Sequence, residues 1–459
     1  MTLWNYIKDA MLKHPKQTVC ENEAEITFED LVVYAEHFAE KLKGRACCAI
    51  LCQSEMATAM ALLGCFAAEV TALPLCVRYG EKHYQKNLDM VGPTAIITDA
   101  EGELTVMDYK DSTYIIPVQH PALIMCTSGT TGNPKGVMLS ETNALTNLGD
   151  IASYLHIQED DTILIARPLY HCAVLTGEFL LSLVKGARIR FCSEPFNPQT
   201  LVDLLKERQI TVLGATPTMM SSMLRFIPND GINSIKRISI SGECMRELLG
   251  QEIAKTFPKA DIYHVYGLTE ASPRVSYLPP EYFRTNPSSV GIPLPSVTVK
   301  IVREDDTPVS PNEDGILWVQ GSNVMLGYYN DPDQTTRKIR NGWLCTGDIA
   351  SMDEQGFLTI KSRMDDMIIR GGVNIYPQEV ENALLADERV REAQVYGILN
   401  PRLGMQLGIK IAGDFASIRE VKHFCMEKLP PFQVPSFYEL LDELPKNSSG
   451  KMVRGFYGD

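Results

Sequence analysis

The sequence has no excess of positive charge and no long apolar run. Across its 459 residues, Lys+Arg number 43 and Asp+Glu number 57, which gives a formal net charge of −14. An acidic chain has no overall electrostatic attraction to nucleic acid or anionic lipid, which disfavours a nucleic-acid-coating role but leaves a local anion site open. The most apolar stretch, Met56 to Ala68, is too short to span a bilayer and suits a buried core helix.

Neither a signal-peptide pattern nor a cysteine framework is expected from the residues at hand. Residues 1–8 mix polar and apolar side chains, without the uninterrupted apolar region of a signal peptide. The 12 cysteines are scattered, no C-x-x-C occurs, and only Cys47, Cys48 and Cys52 cluster. This pattern predicts buried thiols in a reducing compartment, not a zinc site or a disulfide scaffold. We therefore expect a soluble, cytoplasmic protein.

What the sequence does contain is an alternation of strand and helix patterns. Thr27-x-x-Asp30 is typical of a helix capping pair, and apolar residues then recur at helical spacing to Leu42. Helices are also predicted at 54–68 and 81–91. Short apolar runs predict strands at 46–52, 71–75, 94–98, 121–126, 163–166, 188–191, 211–213 and 237–240. The alternation predicts an α/β fold with a mostly parallel, helix-covered sheet.

The pattern of predicted strands and helices changes twice towards the C-terminus. From about residue 290 the segment is rich in turns, with strands predicted at 297–302 and 315–319. After Arg363 the alternation resumes, with a helix near 377–386 and a strand at 393–398. We predict a large N-terminal domain over residues 1–363, made of helix-covered sheets and a β-subdomain, and a small α+β domain over residues 364–459.

The strongest chemical signal is the segment 127–136, Thr-Ser-Gly-Thr-Thr-Gly-Asn-Pro-Lys-Gly, which directly follows a predicted strand. Glycines allow a phosphate chain to approach the backbone, while hydroxyls and amides donate hydrogen bonds. Lys135 adds a mobile positive charge. The Walker A pattern G-x-x-x-x-G-K-[ST] does not fit here, so the segment predicts a phosphate loop of another kind.

Six further motifs follow in order. They are Pro-Leu-Tyr-His (168–171), Ala-Thr-Pro-Thr (215–218), Tyr-Gly-Leu-Thr-Glu (266–270), Thr-Gly-Asp (346–348), Arg-Met-Asp-Asp (363–366) and Leu-Pro-Lys-Asn-Ser-Ser-Gly-Lys (444–451). Together with the phosphate loop, they resemble the adenylate-forming superfamily of acyl- and aryl-CoA synthetases, luciferases and nonribosomal adenylation domains. The resemblance covers nearly the whole chain.

This resemblance implies an ATP/AMP site and its metal ligand. The implied nucleotide-binding residues are Thr127, Ser128, Gly129, Thr130, Thr131, Gly132, Lys135, Ser241, Gly242, Glu243, Tyr266, Gly267, Thr269, Asp348 and Arg363. Tyr266 would stack on adenine and Thr269 would meet the α-phosphate. Asp348 would accept the ribose hydroxyls with help from Arg363. Glu270 would help to hold Mg²⁺, which prefers one or two carboxylates plus phosphate oxygens.

The resemblance also implies an acid pocket and a mobile lid. The implied pocket residues are Tyr170, His171, Gly214, Thr218 and Gly267, and the implied catalytic residues are His171, Thr269, Glu270 and Lys451. Lys451 would reach the carboxylate and the α-phosphate, Asp365 would be the hinge of the lid, and Gly371 and Gly372 would line the thiol tunnel. Residues 170–178 lack the aspartate that amino-acid-activating relatives carry, and Glu178 lies too late, so we expect an acid without an α-ammonium group.

The predicted function is that of an ATP-dependent carboxylic acid–CoA ligase with an acyl-AMP intermediate, using ATP, Mg²⁺ and coenzyme A. Ser241-Gly242-Glu243 replaces the Gly-Gly-Ala of many CoA synthetases and is commoner in domains that load carrier proteins. A phosphopantetheinyl carrier protein is therefore an alternative acceptor, and a catalytically silent nucleotide-binding module is a third hypothesis. The sequence leaves open whether the acid is aryl, aliphatic or derived from a dicarboxylic acid.

Overall fold

The computed structural model describes residues 1–100, 102–128, 134–192, 196–228, 231–370, 373–400 and 404–444. The described residues form two compact units. The first comprises residues 1–245, 249–300 and 318–346, and the second comprises residues 246–248, 301–317 and those from Gly347 onward. Within the described ranges, no helix is long and apolar enough to cross a membrane.

The helices agree with the predicted alternation. In chain order they are α1 (Leu3–Met11), α2 (Phe28–Lys41), α3 (Glu55–Ala67), α4 (Glu81–Val91), α5 (Glu141–Leu155), α6 (Cys172–Val174), α7 (Leu181–Lys185), α8 (Pro198–Glu207), α9 (Pro217–Leu224), α10 (Glu247–Thr256), α11 (Pro280–Phe283), α12 (Pro332–Lys338), α13 (Pro377–Leu385) and α14 (Ile418–Lys428). The predicted cap of α2 is confirmed, since the Thr27 side chain accepts a hydrogen bond from the Asp30 amide at 3.1 Å. A π-helical turn, Leu175–Leu180, joins α6 to α7 and was not predicted.

The strands of the first two-thirds of the chain are β1 (Thr18–Glu21), β2 (Ala24–Thr27), β3 (Cys47–Ile50), β4 (Thr71–Pro74), β5 (Ala95–Ala100), β6 (Glu103–Asp108), β7 (Leu123–Ser128), β8 (Pro134–Leu139), β9 (Thr162–Ile165), β10 (Arg188–Phe191), β11 (Val212–Ala215), β12 (Arg237–Ile240), β13 (Asp261–Gly267), β14 (Arg274–Tyr277), β15 (Ile292–Pro293) and β16 (Val297–Val302). Those that follow are β17 (Gly315–Gly321), β18 (Gly327–Tyr328), β19 (Ile339–Arg340), β20 (Trp343–Met352), β21 (Leu358–Arg363), β22 (Ile368–Arg370), β23 (Val373–Ile375), β24 (Val390–Asn400), β25 (Gly404–Gly413) and β26 (Phe437–Leu441).

A nine-stranded sheet in the first unit has the order β15-β14-β13-β12-β11-β9-β10-β1-β2. The six strands from β13 to β1 pair in parallel, and antiparallel strands close both edges. The chain leaves β9 for β10 on one side, and then continues through β11 and β12 on the other. The strand order therefore reverses between β9 and β11, which is where open α/β sheets bind ligands, at the carboxyl ends of the strands.

A seven-stranded sheet in the same unit has the order β18-β8-β7-β4-β3-β5-β6. Its inner strands β7, β4, β3 and β5 are parallel, and β8 returns antiparallel to β7. The predicted strand at 121–126 lies two residues further on, because β7 continues to Ser128 in register with β8, with Thr127 opposite Lys135. The prediction of mostly parallel, helix-covered sheets is thus confirmed, with antiparallel strands added at the edges.

The second unit has an apolar core of its own. β24, β25 and β26 form a three-stranded sheet in which β24 is antiparallel and β26 parallel to β25. Buried residues of this sheet pack with those of α13 and α14, including Val380, Leu384, Ile409 and Phe424. The predicted helix at 377–386 and strand at 393–398 are confirmed as α13 and β24.

Candidate functional site

The carboxyl ends of four parallel strands in the nine-stranded sheet carry the predicted polar motifs. Residues 166–171 follow β9, residues 216–218 follow β11, Ser241 to Glu243 follow β12, and the Tyr266–Glu270 motif ends β13. The first two motifs flank the point where the strand order reverses. The topology therefore brings together, at one edge, motifs that are up to 100 residues apart in sequence, as a ligand crevice requires.

Two residues predicted for different parts of the site are bonded to each other at this edge. The backbone amide and the hydroxyl of Thr218 both donate to Oε2 of Glu243, at 3.1 Å and 2.6 Å. Thr218 was predicted in the acid pocket and Glu243 in the nucleotide site. On the loop after β9, the rings of Tyr170 and His171 lie with their centroids 4.1 Å apart. A residue predicted for the acid pocket and one predicted for the nucleotide site are thus joined by hydrogen bonds.

A buried ion pair behind this edge was missed by sequence reasoning. The guanidinium of Arg167 donates to Glu178 Oε1, and both side chains are almost fully buried. A second nitrogen of Arg167 lies 3.5 Å from the Ser241 hydroxyl. Gly214, predicted to line the acid pocket, makes room for this pair, because a Cβ there would lie 2.4 Å from the Glu178 carboxylate. No periodicity links Arg167 and Glu178, so only the fold identifies them as partners.

The hairpin of β7 and β8 carries the described part of the predicted phosphate loop. Thr127 and Ser128 end β7, and Lys135 lies on β8, whereas Gly129, Thr130, Thr131 and Gly132 fall outside the described residues. Lys135 Nζ lies 5.3 Å from the ring centroid of Tyr328, a cation–π distance. A pocket of about 160 Å³ opens here, lined by Met90, Pro134, Lys135, Gly136, Tyr328, Tyr329, Asn330 and Asp331.

Tyr328 also connects this hairpin to the predicted metal ligand. Its hydroxyl donates to Glu270 Oε1 at 2.8 Å, and the Glu270 backbone carbonyl accepts from the Met325 amide at 2.9 Å. Gly267, three residues earlier, has no space for a side chain, because a Cβ there would lie 1.9 Å from the Pro273 carbonyl oxygen. Tyr328 was not predicted, since nothing in Gly-Tyr-Tyr-Asn marks the first tyrosine over the second.

The surroundings of Glu270 decide whether the site suits a Mg²⁺ ion. Within the described ranges, no three His, Cys, Asp or Glu side chains come together as a metal site. Glu270 is half-buried, and an ionised carboxylate that accepts one hydrogen bond keeps further lone pairs for a cation. Mg²⁺ commonly binds through one or two carboxylates plus substrate phosphates. The residues therefore suit a Mg²⁺ ion that binds together with ATP, with Glu270 as its protein ligand.

Replacing Tyr328 with phenylalanine tests this connection. The ring that faces Lys135 stays, but Glu270 loses a hydrogen bond to a charged group worth about 1.5–3 kcal/mol. We expect the Mg²⁺ concentration needed for half-maximal pyrophosphate release to rise about tenfold. Tyr329→Phe is the matched control, because its hydroxyl contacts the backbone of Ile115 instead. Equal effects of the two substitutions would contradict a specific role for Tyr328.

The predicted ribose-binding residues lie in the second unit and are paired with each other. Asp348 on β20 lies directly opposite Arg363 on β21, and Arg363 Nη1 is 3.1 Å from Asp348 Oδ1. Gly347 has φ = +81°, a conformation that glycine adopts readily. Asp365 is exposed in the turn after β21. Gly371, Gly372 and Lys451, the remaining predicted residues of this part, lie outside the described residues.

Asp348→Ala is expected to weaken ATP binding and to leave acid binding unchanged. A lost hydrogen bond to a charged group costs about 1.5–3 kcal/mol, or roughly a ten- to hundred-fold rise in the dissociation constant. Isothermal titration calorimetry with ATP measures this. Asp387→Ala is the control, since Asp387 also pairs with an arginine of this unit, Arg389, but has no predicted contact with nucleotide. Unchanged ATP affinity in Asp348→Ala would exclude the ribose role.

Known proteins resemble this chain over nearly its whole length. The AMP-binding enzyme family matches residues 7–329, and the AMP-binding enzyme C-terminal domain matches residues 379–451. The 2-succinylbenzoate–CoA ligase of Bacillus subtilis (strain 168) is 31% identical over 453 residues, covering 94% of this chain and 92% of that enzyme. A long-chain-fatty-acid–CoA ligase of Escherichia coli O157:H7 is 35% identical over 341 residues, covering 72% of this chain and 60% of that enzyme.

Solved structures of CoA synthetases are also similar to this chain. The o-succinylbenzoate CoA synthetase of Bacillus subtilis, in complex with its acyl-adenylate intermediate, superposes with a TM-score of 0.85 at 29% identity, covering 98% of this chain and 96% of that one. The complex of that synthetase with ATP and a magnesium ion gives a TM-score of 0.84 at the same identity, covering 98% of both chains. The resemblance inferred from the motifs is confirmed: this chain belongs to the family of AMP-binding enzymes.

Proposed function

We propose that this chain is an ATP- and Mg²⁺-dependent carboxylic acid–CoA ligase that acts through an acyl-AMP intermediate. The observation that carries the proposal is the crevice edge at the strand-order reversal, where the acid and nucleotide motifs meet. The CoA ligases among its relatives confirm the predicted reaction class and its use of ATP, Mg²⁺ and coenzyme A. The intact motifs argue against a silent nucleotide-binding module.

In the first half-reaction, an oxygen of the acid carboxylate attacks the α-phosphorus of ATP, and the bond to pyrophosphate breaks. A carboxylate is a weak nucleophile, so positioning and charge neutralisation supply most of the catalysis. We assign the acid to the side of Tyr170, His171, Gly214 and Gly267, with Thr218 bonded to Glu243 at the boundary with the nucleotide. We assign the phosphates to Thr127, Ser128, Lys135 and Thr269. Bound to Glu270, Mg²⁺ would supply charge neutralisation at the phosphates.

In the second half-reaction, a thiolate attacks the acyl carbonyl carbon and AMP leaves. The acyl-adenylate is hydrolysable, so the site has to exclude water until the thiol arrives. We assign the lid to residues 364–459, with Asp365 as its hinge, because this residue lies exposed in a turn and hinges change a few backbone dihedrals. Lys451 would act in the first step and leave for the second. Gly371 and Gly372 would border the entering thiol.

For the acid, we propose an aromatic dicarboxylic acid of the 2-succinylbenzoate kind. The relatives that match nearly the full length of this chain carry that substrate in their names, whereas the long-chain ligase match spans 60% of its partner. The absence of an aspartate at residues 170–178 agrees with an acid that has no α-ammonium group. Coenzyme A is the proposed acceptor, and a carrier protein is the alternative.

Pyrophosphate release with a panel of acids tests the proposal. The panel holds 2-succinylbenzoate, benzoate and a long-chain fatty acid, each with ATP and Mg²⁺. We expect release with 2-succinylbenzoate, and mass detection of its CoA thioester once coenzyme A is added. Release without a CoA thioester, but with acylation of a phosphopantetheinyl carrier protein, would overturn the choice of acceptor. Nucleotide binding without release for any acid would overturn the ligase proposal.

A further inference from the structure

The loop that carries Tyr170 and His171 is fastened to a distant part of the chain. The backbone amide of Leu169 donates to Glu55 Oε2 at 3.0 Å, across 114 residues of sequence. Leu169 is fully buried and Glu55 is 8% exposed. Leu169 directly precedes Tyr170 and His171 in the loop. Because its amide is fixed to Glu55, the bond restricts where the two aromatic rings can lie.

The side chain of Glu55 is not needed for the end of the helix on which it lies. Glu55 is the first residue of α3, and Ser54 caps that helix by accepting from the Ala57 amide at 3.1 Å. Glu21 on β1 accepts from the backbone amides of Glu55 and Met56, each at 3.1 Å. Two other side chains thus satisfy the first turn of α3, and the carboxylate of Glu55 is directed to the loop instead.

Burying this carboxylate is costly, and the structure offsets the cost only in part. Ionised groups lose much solvation energy on burial unless they are paired. The nearest cationic group described is Arg78 Nη2, at 3.8 Å from Glu55 Oε1. A leucine or methionine would fill the same volume without this cost, so packing alone does not explain a glutamate here.

We propose that Glu55 is a positioning residue for the acid-binding loop, holding Tyr170 and His171 in the arrangement that binds the carboxylic acid. The proposal rests on the acid–CoA ligase function proposed above and adds to it a residue outside the family's motifs. Glu55 does not touch the substrate. It acts through the Leu169 amide, so its effect falls on the acid and not on ATP.

The protonation of Glu55 supplies a readout that a purely structural role would not give. Burial raises the pKa of Glu55 to about 7, with Glu21 adding to the shift, and the Leu169 amide and Arg78 opposing it. Among neighbouring titratable groups, Cys52 keeps a neutral thiol because burial raises its pKa. Asp99 accepts from the amides of Gln53 and Ser54, which precede Glu55 in the chain.

The two consequences of this raised pKa have opposite signs. An ionised acceptor forms the stronger hydrogen bond, so the KM for the acid should rise as pH falls below about 7. The pKa of Glu55 is higher in the folded chain than in the unfolded chain. The contribution of Glu55 to folding stability is therefore present at low pH and is lost as pH rises from about 4.5 to 7. Ionisation of Glu55 thus favours acid binding while it lowers stability.

Glu55→Ala, Glu55→Gln and the control Asp161→Ala test the proposal through pyrophosphate release at pH 6 to 8.5. Asp161 is also a buried carboxylate that accepts from a backbone amide, that of Gln158 at 2.9 Å, but it precedes β9 and so lies at the opposite end of that strand from the loop. We expect Glu55→Ala to raise the acid KM about tenfold or more, with an ATP KM within about twofold of wild type. Glu55→Gln keeps an acceptor, so it should restore part of the acid KM at pH 8 and show no rise of its own below pH 7. Asp161→Ala should lower the melting temperature, because Arg237 loses its buried partner, and leave the acid KM unchanged.

Hydrogen exchange of the peptide that covers residues 167–171, in the substrate-free chain, tests the same bond without any turnover. Faster exchange is expected in Glu55→Ala and near-wild-type exchange in Glu55→Gln. A wild-type chain that releases no pyrophosphate with any acid refutes the ligase function, and the exchange result still decides whether Glu55 holds the loop. An active wild type with an unchanged acid KM in Glu55→Ala, or an equal rise in Asp161→Ala, overturns the proposal.

Discussion

Replacing Lys451 with alanine is expected to slow acyl-AMP formation by about 10²–10³-fold, the usual cost of removing one preorganised group that stabilises transition-state charge. The carboxylate and the α-phosphate are both negative, so a cation between them favours their approach. We assign this role to Lys451, as the resemblance of the motif at residues 444–451 to that of adenylate-forming enzymes implies. Transfer from supplied acyl-AMP to coenzyme A should stay near wild type, because the lysine is not needed once the adenylate exists.

Rapid-quench measurement of each half-reaction separates the two effects. Lys428→Ala is the control, since Lys428 also lies in the C-terminal part of the chain but pairs with Asp387 at 3.1 Å. We expect Lys428→Ala to leave both half-reactions unchanged. Comparable losses in both steps for Lys451→Ala would refute the division of labour between the two half-reactions.

Glu178→Ala is expected to destabilise the first unit by about 3–5 kcal/mol, because it leaves the buried guanidinium of Arg167 without its counter-charge. Replacing both partners with apolar residues of similar volume removes the charge that needs a partner. Arg167→Met combined with Glu178→Leu should therefore recover most of the stability. Equilibrium unfolding in urea measures both effects.

The exposed pair of Lys236 and Asp160, also in the first unit, is the control for this experiment, with 46% and 70% of the two side chains exposed. Asp160→Ala should change stability only slightly, because water solvates the charge that remains. A small effect of Glu178→Ala, similar to that of Asp160→Ala, would show that water reaches Arg167. It would also mean that this side of the acid pocket is open.

The fold class and most elements could be predicted from local pattern. Short runs at residues 46–52, 188–191 and 237–240 predicted β3, β10 and β12, and helical spacing predicted α2 and α3. These elements can be predicted because the apolar residues of the buried face of a strand or helix recur within a few positions of the sequence. The π-helical turn at residues 175–180 was missed because its hydrogen bonds leave no separate repeat in sequence.

The family and the chemical class of the site could also be predicted from sequence, because the phosphate loop and the other motifs are short, contiguous segments in a fixed order. The hydrogen-bonded and ion-paired partners within the site could not be predicted. Arg167 binds Glu178, Thr218 binds Glu243 and Tyr328 binds Glu270. Each pair joins residues that local sequence treats as independent, and each depends on how strands, helices and loops pack in the fold.

By itself, the sequence determined an α/β fold with helix-covered sheets and a chemistry in which a nucleotide activates an acid. Only the tertiary structure decided where the strand order reverses and which buried carboxylate accepts a hydrogen bond from the loop that carries Tyr170 and His171. The physical reason is range: propensity, periodicity and phosphate-binding motifs act over about ten residues. The bond from Glu55 to Leu169, in contrast, spans 114 and exists only once two sheets and the helix between them have packed.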